Sequence, residues 1–234
     1  MKLFTNFTLK IMAIIFMVMD HIYTYLNVSG FEVPIWFGYI GKLSAPIFFY
    51  LIAEGFFHTR SRVKYMKRLF CMGVLMIGVD IVLGISNNIF LSLGLGVAVM
   101  SSIEYVKTQE KWSKRFIRGM LFSIVLSILS IFTEASFYGL FMILIFYFFR
   151  EKKVWMVFSY IAFSLIGLVS VIGRNFIEAA FLWDYQWMMV FSIIPILLYN
   201  GRKGLSNSFI KWIFYWFYPI HLFIIVALSK FLAI

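Results

Sequence analysis

The sequence predicts an all-α polytopic membrane protein: one helical bundle of about nine transmembrane helices over residues 1–234, with its N-terminus in the cytoplasm. Three observations carry this expectation. Of the 234 residues 63% are apolar and only 13% charged, a balance outside the soluble range. The apolar residues fall in run after run close to the ~20 needed to cross a bilayer, separated by short polar clusters. Finally, the basic residues concentrate in every second loop, as the positive-inside rule requires.

Taken in order, the apolar runs place helices near residues 8 to 28, 35 to 57, 69 to 86, 89 to 106, 119 to 133, 137 to 149, 154 to 173, 185 to 199 and 212 to 232. The first begins after Lys2, but Asp20 and His21 interrupt its apolar run and no small-residue cleavage site follows, so it reads as a retained helix and not a signal peptide. The fifth and sixth are short for full spans and read as a broken or re-entrant pair around Thr133, Glu134 and Ala135. Period-two alternation, which a barrel requires, is absent. The single cysteine, Cys71, permits no internal disulfide and no cysteine metal cluster, and is expected to pack as a small apolar residue.

Of the 21 Lys and Arg, 18 fall at the N-terminal end or in alternate loops, leaving only Lys42, Arg174 and Lys230 on the other side. That other side instead carries Glu32, Glu134, Glu178 and Asp184. The net charge of +11 follows from this topology and calls for no nucleic acid. Some of the cations remain free to meet a soluble anion or lipid headgroups.

Against this background the informative residues are the polar ones inside apolar runs. A charge at the centre of a membrane helix costs roughly 2.5–3.5 kcal/mol on insertion scales, so such residues persist chiefly where they face a polar cavity. Asp20, His21, Asp80 and His221 fit that description. His21 lies about 13 residues inside the first helix, roughly 20 Å deep, and Asp80 and His221 fall at similar depth on theirs. Lys10 and His21 are eleven residues apart, three turns and ~20°, so they share one face about 16 Å apart along the axis. A cation at the rim and an imidazole deep inside suit an extended cofactor with phosphates at one end and a reactive group at the other. Glu54 and His58 are i,i+4 neighbours near the end of the second helix.

Of these residues Lys10, Asp20, His21, Glu54, His58 and His221 lie within stretches that resemble the TraX family, membrane proteins named for acetylation of conjugative pilin. The matching stretches are LKIMAIIFMVMDHI (9 to 22), GKLSAPIFFYLIAEGFFHTRSRVKYMKRL (41 to 69), NNIFLSLGLG (87 to 96), EASFYGL (134 to 140), LLYNGRKG (197 to 204) and FYWFYPIHLFII (214 to 225). More remotely, the first helix is similar to the acyltransferase-3 group, with Lys10 where that group carries an arginine and His21 at its essential histidine. The substitution keeps a positive charge but loses the guanidinium fork.

The resemblance implies an O- or N-acyltransferase of the cell membrane. It would take acetyl groups from cytoplasmic acetyl-CoA to an amine or hydroxyl acceptor, whether pilin, peptide or glycan. Lys10, His58, Arg60, Lys64, Arg68, Arg202 and Lys203 are then the candidates to hold the CoA phosphates. His21 would be the general base or the acetyl carrier, with Asp20 or Asp80 orienting its ring and His221 as a second base or donor. No metal is implied. The competing expectation is a proton-coupled transporter or flippase, since buried Asp and His residues also build proton relays.

Overall fold

The computed structural model describes residues 2–173 and 175–232; Arg174, expected among the few cations of the acidic side, lies outside them. The structure is helical throughout, apart from one isolated β-bridge between Phe4 and Tyr199. The helices are α1 (Asn6–Val28), α2 (Trp36–Gly41), α3 (Ser44–His58), α4 (Arg62–Leu83), α5 (Ile89–Lys107), α6 (Lys114–Leu129), α7 (Ser136–Phe148), α8 (Lys153–Ser164), the single turn α9 (Phe176–Glu178), α10 (Ile193–Leu197) and α11 (Ser208–Leu232). Tighter 3-10 turns extend α6 over Ser130–Phe132, follow α8 over Ile166–Val171 and precede α10 over Tyr185–Ser192. A wider π-helical turn, Ala179–Trp183, continues α9.

Among the described residues six helices are long and apolar enough to cross a membrane, and a seventh crossing results if one bent pair counts as a span. The chain is thus a multi-pass membrane protein. α2 and α3 together make one of the six. The chain does break between Phe132 and Ser136, but the sharply bent pair lies elsewhere. α6 and its 3-10 extension run straight from Lys114 to Phe132 as a full-length apolar helix, whereas Phe176–Trp183 and Tyr185–Leu197 meet at 67°. α7 remains short. Elsewhere α1, α4, α6 and α11 begin earlier than the apolar runs do. α4 starts at Arg62 and not near residue 69, because Ser61 caps the Lys64 N–H and long basic side chains are good helix formers.

The chain forms two compact units. The first is Met1–Leu51 with Lys152–Ile234, and the second is Ile52–Glu151, so that α3 passes from one to the other. In the second unit α5 is the central helix, packed by α4, α6 and α7, with an almost unbroken buried run from Ser92 to Met100. Cys71 on α4 is exposed, contrary to the expectation of packing, on a helix that also exposes Val74, Ile77 and Ile81.

In the first unit α1 lies between α2 and α11. Leu9, Ala13, Met17 and His21 form its buried stripe, each four residues from the last. Gly41 fixes the α1–α2 approach, because a Cβ there would sit 2.7 Å from Asp20 Cα. The foot of α1 is held by backbone. Phe4 N–H donates to Leu198 O (3.0 Å), Asn200 N–H to Phe4 O (2.8 Å), Asn6 N–H to Arg202 O (2.9 Å) and Phe7 N–H to Lys203 O (3.1 Å). Gly204 closes this clamp at φ 68°, with no room for a Cβ beside Thr5. Residues 200–204 are therefore the seat of α1.

Candidate active site

α1 and α11 run parallel, and their contacts follow one seam. Phe7 and Lys10 meet Phe214, with the ammonium 5.2 Å from the ring centre. Further along His21 meets His221, and at the far end Ser29 Oγ lies 2.5 Å from Ser229 Oγ. The face shared by Lys10 and His21 is therefore the face turned to α11.

His21 and His221 are both buried, at 6% and 7% exposure, and their rings stack with centres 5.0 Å apart and planes within 7°. His21 Nδ1 and His221 Nε2 are 2.8 Å apart, and His221 Nδ1 is 2.7 Å from Phe217 O. The carbonyl can only accept, so His221 Nδ1 carries a proton and donates it. A neutral His221 then has a bare Nε2, to which His21 Nδ1–H donates. The lone pair of neutral His21 is left on Nε2. Among the described residues that atom takes no hydrogen bond, and it is not one of the unpartnered atoms sealed from solvent, which are Arg68 Nε, Asn88 Oδ1 and Ser164 Oγ. Tyr25 and Tyr218 turn ring edges toward His21 at 6.2 and 6.0 Å. The local chemistry is that of an oriented imidazole with one nitrogen available to act as base or nucleophile.

Asp20 does not orient this ring. Asp20 Oδ1 accepts from Lys42 Nζ at 2.9 Å, and the ammonium also lies 5.6 Å from the Tyr185 ring centre. Asp20 points to α2 because it precedes His21 by one residue, a 100° rotation away from α11. Asp80 belongs to the second unit, where Oδ1 accepts Asn87 N–H (3.3 Å) and the main-chain carbonyl accepts Ile85 N–H (3.0 Å), closing the turn between α4 and α5. The expectation that Asp20 orients His21 is thus corrected: His21 Nδ1 is occupied by His221 and Asp20 by Lys42. Lys42 is the residue that balances Asp20.

The candidate phosphate-binding residues sort by unit. In the first, Arg202 and Lys203 are exposed and their carbonyls clamp the first turn of α1, with half-buried Lys10 one turn above. In the second, Arg60 and Lys64 are exposed, Arg68 lies over the Tyr65 ring at 5.8 Å, and exposed His58 bonds through Nδ1 to Glu54 O at 2.9 Å. Glu54 is buried and not solvated, and Arg150 Nε donates to its Oε2 at 3.0 Å. Among the described residues no group of three His, Cys, Asp or Glu is placed to hold a metal ion.

The family described as TraX protein matches residues 6–229. The chain belongs to the TraX family. Among curated proteins this TraX member is similar to the probable fimbrial assembly protein FimC, serogroup H1, of Dichelobacter nodosus, with 25% identity over 98% of this chain and 97% of that protein. No solved structure matches it. The matched region takes in both helices of the histidine seam and the clamp at residues 198–203.

Proposed function

We propose that the protein is a membrane acyltransferase that moves an acetyl group from acetyl-CoA to an amine or hydroxyl acceptor on a pilin, peptide or glycan. The observation that carries this reading is the hydrogen-bonded His21–His221 pair, which holds one bare imidazole nitrogen on the same seam as Lys10. Membership of a family named for pilin acetylation supports it, as does similarity to a protein named for fimbrial assembly. The distribution of 18 of 21 basic residues supports a cytoplasmic N-terminus and the cell membrane as location. That orientation puts Lys10, Arg202 and Lys203 on the side where acetyl-CoA resides.

In this reading the CoA phosphates meet Lys10, Arg202 and Lys203 at the foot of α1, and the pantetheine arm follows the α1–α11 seam. The thioester then reaches the depth of His21, roughly 16 Å further along the axis. His21 Nε2 takes the proton from the acceptor O–H or N–H as the acceptor attacks the thioester carbonyl. The tetrahedral intermediate collapses with loss of CoA thiolate, which receives that proton from His21. His221 holds the reactive tautomer and shares the transient positive charge. In a route through acetyl-His21 the same nitrogen attacks as nucleophile, the C–S bond breaks, and CoA leaves as thiolate before the acceptor enters.

Replacement His21→Ala should abolish transfer of labelled acetyl from acetyl-CoA to membrane acceptors while the protein still folds in the membrane. Unchanged transfer would refute the reading. The alternative, a proton-coupled transporter or flippase, rests on the same histidine pair and on the bent pair of helices at Asp184. Acetyl-CoA separates the two. It should raise the melting temperature of the purified protein by several degrees where simple anions do not, and a transporter would show no such selectivity.

A further inference from the structure

The cations of the second unit are of two kinds. Lys107 Nζ donates to Glu104 Oε1 at 2.9 Å and to the Tyr147 hydroxyl at 2.8 Å, and Arg150 is bound to Glu54 and Glu151. These charges are spent inside the fold. A few residues on, Lys111, Lys114, Arg115 and Arg118 are all exposed, and among the described residues none has a carboxylate within ion-pair distance. Glu110 is the one acid in this segment.

Left to itself the arrangement is unfavourable. Lys114 and Arg118 are i,i+4 neighbours on α6 and Arg115 and Arg118 are i,i+3, so like charges face each other. They also stand at the positive end of the helix dipole, with no acid in the first turn. Trp112, immediately before the Ser113 cap, is 81% exposed, and it holds φ at 65°, which tryptophan adopts rarely. Beyond the cations α6 is almost entirely outward-facing, with Leu121, Phe122, Ile124 and Val125 exposed. Read along the chain, the surface passes from Lys111 and the Trp112 indole through Lys114, Arg115 and Arg118 to an apolar wall.

We propose that Lys111–Arg118 is a docking site for anionic phospholipid, with the headgroup phosphate held by Lys111, Lys114, Arg115 and Arg118. Trp112 lies at headgroup level and the acyl chains run along α6. The charges match, the indole takes the interfacial position that tryptophan favours, and the apolar wall continues where the chains lie. A basic cluster beside a membrane helix gains about fivefold in affinity per cation near an anionic surface. The site uses none of the residues assigned to acetyl transfer, so it stands or falls separately.

The test uses full-length purified protein titrated with phosphatidylglycerol or phosphatidylcholine and observed by native mass spectrometry. The wild type should bind phosphatidylglycerol at least about tenfold more tightly than phosphatidylcholine, given several cations at about fivefold each. The variant K111Q/K114Q/R115Q/R118Q should lose that preference, and K111R/K114R should keep it. A wild type without headgroup preference would overturn the proposal, as would a quadruple variant within twofold of wild type. Competition by glycerol 3-phosphate as strong as by the lipid would assign the site to a soluble anion instead and overturn the lipid reading. A second readout survives poor folding of the quadruple variant. Brominated phosphatidylglycerol should quench wild-type fluorescence more than that of Trp112→Phe, and equal quenching would overturn the placement of the indole.

Discussion

Replacing His221 with leucine removes the acceptor of His21 Nδ1–H while nearly preserving volume. The hydrogen bond is 2.8 Å long and lies between two side chains that are each at most 7% exposed, so water cannot readily substitute for it. A buried donor left without a partner costs about 1–3 kcal/mol. His21 can escape that cost by rotating or by moving its proton to Nε2, and either change takes the lone pair away from the reacting position. Loss of a positioned general base lowers rates by about 10²–10⁴. His221→Leu should therefore reduce acetyl transfer by about 10² or more with protein levels in the membrane unchanged. His221→Gln offers a carbonyl oxygen that can accept the same proton, and should retain activity within about tenfold of wild type. The assay is incorporation of labelled acetyl from acetyl-CoA into isolated membranes at matched protein levels. Activity of His221→Leu within twofold of wild type, or equal losses in Leu and Gln, would refute the role given to this pair.

Other consequences concern stability. Lys42→Met strands the Asp20 carboxylate, whose side chain is only 25% exposed. It should lower stability by about 1–3 kcal/mol, with Asp20→Asn/Lys42→Met recovering most of the loss in detergent melting curves. Gly41→Ala inserts a Cβ 2.7 Å from Asp20 Cα, so α1 and α2 must separate, at a cost of about 1–3 kcal/mol by the same assay. Gly204→Ala combines a left-handed φ of 68° with a 2.5 Å clash on Thr5 Oγ1. It should loosen the clamp at the foot of α1 and appear as faster amide exchange at Asn6 and Phe7, whose N–H groups bond to Arg202 and Lys203 carbonyls.

Much of the fold is legible because membrane helices announce themselves through long apolar runs, and α1, α5 and α11 lie within a few residues of expectation. What hid α4's first turn is that its basic residues, Arg62 to Arg68, are helical yet polar, so a hydropathy boundary falls seven residues late. The boundary at Asp184 was legible, since a helix was expected from residue 185, but the helical turns before it were not. Glu178 and Asp184 mark Phe176–Trp183 as a polar connection, and only main-chain geometry shows that it is helical and meets Tyr185–Leu197 at 67°. In the site, the common face of Lys10 and His21 follows from helical periodicity alone, and α11 was a known source of a second histidine. Which residue touches His21 was not legible, because one sequence position is a 100° rotation and sends Asp20 to a different neighbour. The small residue Gly41 before Lys42 was the available hint that α2 presses on α1 there, where a Cβ would lie 2.7 Å from Asp20 Cα.

The chain contains three histidines, His21, His58 and His221, which makes nitrogen NMR of histidine-labelled protein in lipid nanodiscs the most direct test of the central claim. His58→Gln and His221→Gln assign the signals. Both His21 and His221 should carry a protonated Nδ1, His21 Nδ1 should couple to His221 Nε2, and the bare His21 Nε2 should shift when acetyl-CoA is added. A protonated Nε2 on neutral His21, or a His21 signal indifferent to acetyl-CoA at saturating concentration, would contradict that claim.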